Sequence, residues 1–172
     1  MRQSRELTLA LPDAAATATA GHDLARAAHA IARAAGLTVA LEGELGAGKT
    51  TLVRGALAAL GHAGTVHSPT YTLLESYPVN GLTVHHLDGY RLTGAQDFEA
   101  LGFRDLSGPG RLVLIEWASR APTIAAAADL TITLEFAPAG RVLAAHSNTA
   151  SGAEVVKGLR DCWGTAHKTG RT

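Results

Sequence analysis

Residues 43–50 read Gly43-Glu44-Leu45-Gly46-Ala47-Gly48-Lys49-Thr50, which fits G-x-x-x-x-G-K-[ST] at every fixed position. Such a loop can curl until successive backbone N–H groups converge on phosphate oxygens. Gly43, Gly46 and Gly48 allow the required backbone angles. A helix that starts just after the loop points its positive end at the same anion. The spacing therefore predicts a nucleotide cradle. Gly46, Ala47, Gly48, Lys49, Thr50 and Thr51 touch the phosphates, Lys49 reaches the β- and γ-phosphates, and the Thr50 hydroxyl meets Mg²⁺. Thr51 is expected at the α-phosphate. The chain has 19 glycines and only three lysines, so a glycine loop ending in Lys-Thr is a poor accident.

A phosphate cradle needs further oxygen ligands for Mg²⁺ and a group that orients water. Asp88 ends the apolar run Val84-His85-His86-Leu87, and Glu116 ends Leu112-Val113-Leu114-Ile115. Either carboxylate can serve the site, the second in the manner of a Walker-B strand. Either can equally be an ordinary strand-end cap. His67-Ser68-Pro69-Thr70-Tyr71 lies where other P-loop proteins keep a switch segment, so Thr70 is a candidate sensor of γ-phosphate or Mg²⁺; the same residues also fit a plain Ser-Pro turn. Adjacent strand residues face opposite sides, so His85 and His86 are not expected to share a transition metal. Trp117 and Tyr90 read as core or groove residues from type alone.

The elements that must carry these groups follow from periodicity. Glu6 to Leu11 is a short strand, and Asp13 caps an Ala-rich helix from Ala14 to Ala35. Leu37 to Leu41 is a buried strand leading into the glycine loop, and a helix runs from Lys49 to Leu60. Thr72 to Tyr77 and Leu82 to Leu87 flank a turn at Pro78-Val79-Asn80-Gly81. Gln96 to Leu101 and Thr123 to Ala128 are short helices. Arg111 to Ile115 is a central strand. Leu130 to Phe136 alternates with one apolar face, and Arg141 to His146 returns as another strand. The fold class is α/β, a P-loop NTPase-type three-layer sandwich with a mixed sheet and helices on both faces. Residues 1–150 form a single P-loop domain. Residues 151–172 read as a C-terminal tail holding a short helix, about Ala153 to Arg160, and then a frayed end.

The 172 residues are 47% hydrophobic, which suits a globular chain. Fifteen basic and 15 acidic residues cancel, which argues against a strong grip on DNA or RNA. Cys162 is the only cysteine, as in a reducing cytosol. No signal-peptide core and no spanning apolar segment are found. A cytoplasmic protein without membrane or DNA contact is expected.

The ordered set Glu42-Gly43-Glu44-Leu45-Gly46-Ala47-Gly48-Lys49-Thr50-Thr51, Ser68-Pro69-Thr70-Tyr71, His86-Leu87-Asp88-Gly89-Tyr90-Arg91-Leu92 and Ile115-Glu116-Trp117 resembles the bacterial TsaE family, formerly called YjeE. The likeness runs from Pro12 to about Ala145. It implies an accessory protein that binds ATP and Mg²⁺, hydrolyses ATP weakly, and acts in making N6-threonylcarbamoyladenosine at adenosine 37 of tRNA. TsaD and TsaB are the implied partners, TsaD being the transferase, and tRNA is met only through that complex. By the same likeness, Thr50 and Glu116 are the Mg²⁺ ligands. Asp88, Lys49 and Thr70 act on the γ-phosphate and its attacking water, with Trp117 beside them. Thr17 lies near the base, and Arg141 approaches the nucleotide. Gly89 stands where the family keeps a larger residue, which is expected to loosen that turn. Ser119 stands where an acidic or polar residue is common. ATP rather than GTP is expected, since the N/T-K-x-D guanine signature is absent. A small-molecule P-loop kinase is the alternative, although its usual cluster of lid arginines is not found: Arg91, Arg104, Arg111 and Arg120 are scattered. A nucleotide-binding module without useful hydrolysis is a third reading.

Overall fold

The computed structural model describes residues 5–166. Strands β1 (Glu6–Leu11), β2 (Leu37–Glu42), β3 (Leu74–Val79), β4 (Leu82–Asp88), β5 (Arg111–Glu116), β6 (Leu130–Phe136) and β7 (Arg141–Ser147) make one sheet, ordered β1-β7-β6-β2-β5-β4-β3. The inner strands β6, β2, β5 and β4 are parallel, while β7, β1 and β3 pair antiparallel. The sheet is thus mixed, as the sequence predicts. Parallel strands must be covered on both sides, and their side chains divide accordingly. Leu37, Val39, Leu41, Leu112 and Leu114 enter one core, shared with helices α1 (Ala14–Ala35), α2 (Lys49–Ala59) and α5 (Ala150–Ala166). Ala40, Leu87, Val113 and Ile115 enter a second core, under α3 (Ala95–Ala100) and α4 (Pro122–Ala127). Three layers result.

Helix α1 begins where Asp13 accepts the Ala16 N–H at 2.8 Å, satisfying one orphan donor of the first turn. Small residues let α1 and α2 approach closely. A Cβ added at Gly21 would lie 1.9 Å from the Leu52 carbonyl oxygen, and one at Gly55 would lie 2.0 Å from that of Ala18. Any larger residue at either position would lever α2, and the loop before it, away from the sheet.

Three expectations need correction. The β3–β4 connection is a two-residue turn at Asn80 and Gly81, both at positive φ (47° and 75°), not a four-residue one. Pro78 lies inside β3, which is tolerated because β3 is an edge strand. Phe136 keeps its register on β6 opposite Arg141 but is not covered there: it is 55% exposed, with the Arg141 guanidinium 5.4 Å from its ring centre. The segment after Ala150 is no tail as far as it is described: α5 buries Val155, Val156, Leu159 and Trp163 in the larger core. Trp163 Nε1–H also donates to Asp23 on α1 at 3.0 Å. Full burial of such side chains is worth about 1.5–3 kcal/mol each, so α5 belongs to the domain. The fray expected after Arg160 does not begin there, since α5 continues to Ala166; residues 167–172, where the rest of it is expected, lie outside the described residues. Among the described residues, no helix is long and apolar enough to cross a membrane.

Candidate functional site

β2, β4 and β5 are parallel neighbours, so their carboxyl ends meet at one edge of the sheet. That edge is where open α/β sheets bind ligands. From β2 the chain turns through Gly43, Gly46 and Gly48, at φ of 139°, 78° and 111°, a region hostile to side chains. Gly48 precedes α2 with no side-chain cap. The first-turn amides of α2 are therefore left for an anion. The loop is supported from behind. Arg141 Nη2 donates to the Gly46 carbonyl at 3.0 Å, and a Cβ on Gly48 would meet the Thr17 methyl at 3.2 Å.

Lys49 Nζ donates to the carbonyls of Gly43 (2.6 Å) and Glu44 (3.0 Å) and lies 4.2 Å above the centre of the Trp117 indole. Burial pushes its pKa down, against the opposing pull of Glu116, Asp88 and Glu42. A buried ammonium held in this way gains from phosphate charge arriving beside it.

Asp88 and Glu116 stand directly opposite one another in the β4–β5 register, and each is 4% exposed. Like charges facing across neighbouring strands repel, so the pair calls for a cation. Glu116 Oε1 accepts from the Thr50 hydroxyl at 2.8 Å, placing two hard oxygen groups together beside the loop, a donor set that suits Mg²⁺. Asp88 Oδ2 accepts from the hydroxyls of Thr70 (3.0 Å) and Ser68 (3.4 Å), and Oδ1 accepts the Tyr90 N–H at 2.9 Å. These groups open on a cavity of about 380 Å³.

The cavity gathers Gly46, Gly48, Lys49, Thr50, Thr51, Thr70, Asp88, Glu116 and Trp117, all expected site residues. Ala47, within the loop, turns its methyl into the larger core; Thr17, 1% exposed, lies behind the loop, and Arg141 reaches the loop's Gly46 carbonyl. Sequence reasoning missed His86, whose Nε2 is 2.8 Å from Glu116 Oε1. The available signal was position: residues two apart on a strand share a face, so His86 points to the Asp88 side. Its neighbour His85 bonds Ser76 instead, at 2.8 Å; burial, then the Arg111 charge, lowers the His85 pKa. Ser119, the other noted departure, donates through its backbone N–H and its hydroxyl to Glu42, at 2.8 Å each.

Gly89 does not loosen its turn. Its N–H donates to the Glu116 carbonyl at 2.8 Å, and an added Cβ would sit 2.7 Å from the Trp117 carbonyl oxygen and 3.0 Å from Phe98. The bare backbone thus ties the Asp88 end of β4 to the Glu116 end of β5. Gly89→Leu is expected to overpack this seam at a cost of about 1–3 kcal/mol. A thermal melt should move down by several degrees; an unchanged melt would mean the seam yields freely.

The family model described as threonylcarbamoyl adenosine biosynthesis protein TsaE matches residues 11–142. The tRNA threonylcarbamoyladenosine biosynthesis protein TsaE of Haemophilus influenzae is 38% identical over 120 residues, covering 70% of this chain and 76% of that protein. The protein of the same name from Treponema pallidum is 37% identical over 99 residues, covering 58% and 73%. Among solved structures, that of Bacillus subtilis YdiB matches with a TM-score of 0.68 at 24% identity, covering 91% of this chain and 95% of that one. This last likeness speaks for the fold.

Proposed function

The chain belongs to the TsaE family, and from that premise we propose that it binds ATP with Mg²⁺ at the glycine loop, hydrolyses it slowly, and so supports N6-threonylcarbamoyladenosine synthesis on tRNA adenosine 37 in complex with TsaD and TsaB. The observation that carries this reading is the pairing of two hydroxyls with two carboxylates across one cavity: Thr50 on Glu116 and Thr70 on Asp88.

Thr50 and Glu116 would hold Mg²⁺, which when bound neutralises phosphate charge. Lys49 exchanges its loop carbonyls for β- and γ-phosphate oxygens. The Asp88 carboxylate accepts a hydrogen bond from water and takes its proton as the water oxygen bonds to the γ-phosphorus. The bond from that phosphorus to the bridging oxygen then breaks, releasing ADP and phosphate. Thr70 trades its bond to Asp88 for the γ-phosphate, so the segment from Ser68 to Tyr71 is ordered differently before and after hydrolysis. That difference gives TsaD and TsaB a nucleotide-dependent surface. Trp117 closes one wall over Lys49. Thr17 and Arg141 hold the loop in shape and border the nucleotide.

The test uses purified TsaD–TsaB, tRNA and threonylcarbamoyl-AMP, with this protein and ATP added or withheld. Repeated rounds of tRNA modification are expected only when both are present. Equal turnover without this protein defeats the proposal.

A further inference from the structure

His86 is wholly enclosed, with 0% of its surface exposed. It stands on β4 opposite Leu114, while Asp88 stands opposite Glu116. Its imidazole therefore reaches diagonally across the strand pair to Glu116, where Nε2 lies 2.8 Å from Oε1. The Thr50 hydroxyl donates to that same oxygen, also at 2.8 Å. A carboxylate oxygen only accepts, so Nε2 carries the hydrogen and donates it. Both bonds fall on Oε1, which leaves Oε2 for a ligand in the cavity that Glu116 lines.

The other ring nitrogen, Nδ1, is buried without a partner. An unpaired buried polar atom is a cost to folding. Packing alone would be served better by an apolar side chain. The group that repays the burial of this ring is the Glu116 carboxylate, which Nε2–H fixes in orientation. We infer that His86 is a positioning residue: its Nε2–H, together with the Thr50 hydroxyl, sets the Glu116 carboxylate at the angle at which it meets Mg²⁺. The inference rests on the reading of Glu116 as a metal ligand given above. Groups that orient a ligand from behind are worth about 10- to 100-fold in metal affinity where they have been removed.

The test compares ADP affinity by calorimetry in excess Mg²⁺ and in EDTA; the ratio of the two reports the metal's share. In His86→Leu the ratio is expected to fall about 10- to 100-fold. In His86→Gln, whose amide N–H can reach the same oxygen, it is expected to stay within about threefold of the wild type. A merely structural role would lower the melting temperature of both variants and leave the ratio alone, and that result overturns the inference. Should His86→Leu fail to fold, His86→Asn takes its place: its amide falls one methylene short, so its ratio should drop as well, and a wild-type ratio there is equally fatal. If the wild type binds no nucleotide in either condition, the reading of the loop fails and His86's role falls with it. If the wild type shows a Mg²⁺ advantage that both variants keep, only the role of His86 is lost.

Discussion

Lys49→Ala should weaken Mg²⁺–ATP binding at least about 100-fold, equivalent to about 2.7 kcal/mol. The reasoning starts from burial. Lys49 is 4% exposed, so its ammonium has little water to return to when phosphate is absent. Its present partners are two loop carbonyls and an indole face, all neutral. Phosphate oxygens would replace the carbonyls with charge-assisted bonds, roughly twice as strong as neutral ones. The other cation that touches the loop, Arg141, is engaged from behind with the Gly46 carbonyl. Calorimetric titration of wild type and variant checks this, with circular dichroism to establish that the variant is folded. A loss below about threefold would mean that backbone amides alone hold the phosphates.

Asp88→Asn should do the reverse, leaving binding nearly intact while hydrolysis falls by about 100-fold or more, the usual worth of a positioned base. Asparagine has nearly the shape of aspartate: its Oδ1 can still accept the Tyr90 N–H, and its Nδ2, standing where Oδ2 was, donates to the Thr70 hydroxyl oxygen instead of accepting from it, so the end of β4 stays fixed. What it lacks is the charge and the proton affinity. Losing one of two opposed carboxylates also relieves repulsion toward an incoming γ-phosphate, so affinity is expected to hold or rise. Single-turnover phosphate release separates the two effects. Hydrolysis equal to wild type would remove Asp88 from the chemistry.

Much of this site can be read from the chain because its parts sit at element ends. A strand, three glycines and Lys49-Thr50 fix both the loop and the start of α2. Asp88 and Glu116 are visible as carboxylates closing apolar runs. Their meeting is not visible, because it depends on β4 and β5 being adjacent, parallel and in a register that puts the two opposite. The role of His86 is hidden for the same reason: its partner lies 30 residues away in sequence. At Gly89 local sequence shows a missing side chain but not the Trp117 carbonyl that fills its space. Val155, Val156, Leu159 and Trp163 lie on one helical stripe of α5, but the interrupting Gly158 and the polar residues between make that stripe faint in the sequence. Gly158 has a packing reason of its own, since a Cβ there would meet that of Ala27 at 3.0 Å.

Amide-resolved NMR of the protein titrated with Mg²⁺ and a non-hydrolysable ATP analogue puts the phosphate cradle to its plainest trial. The account predicts the largest shifts at the backbone N–H groups of Gly46, Gly48, Lys49 and Thr50, where α2 opens with no side-chain cap. Shifts that spare these amides, or that gather at another part of the surface, would contradict it.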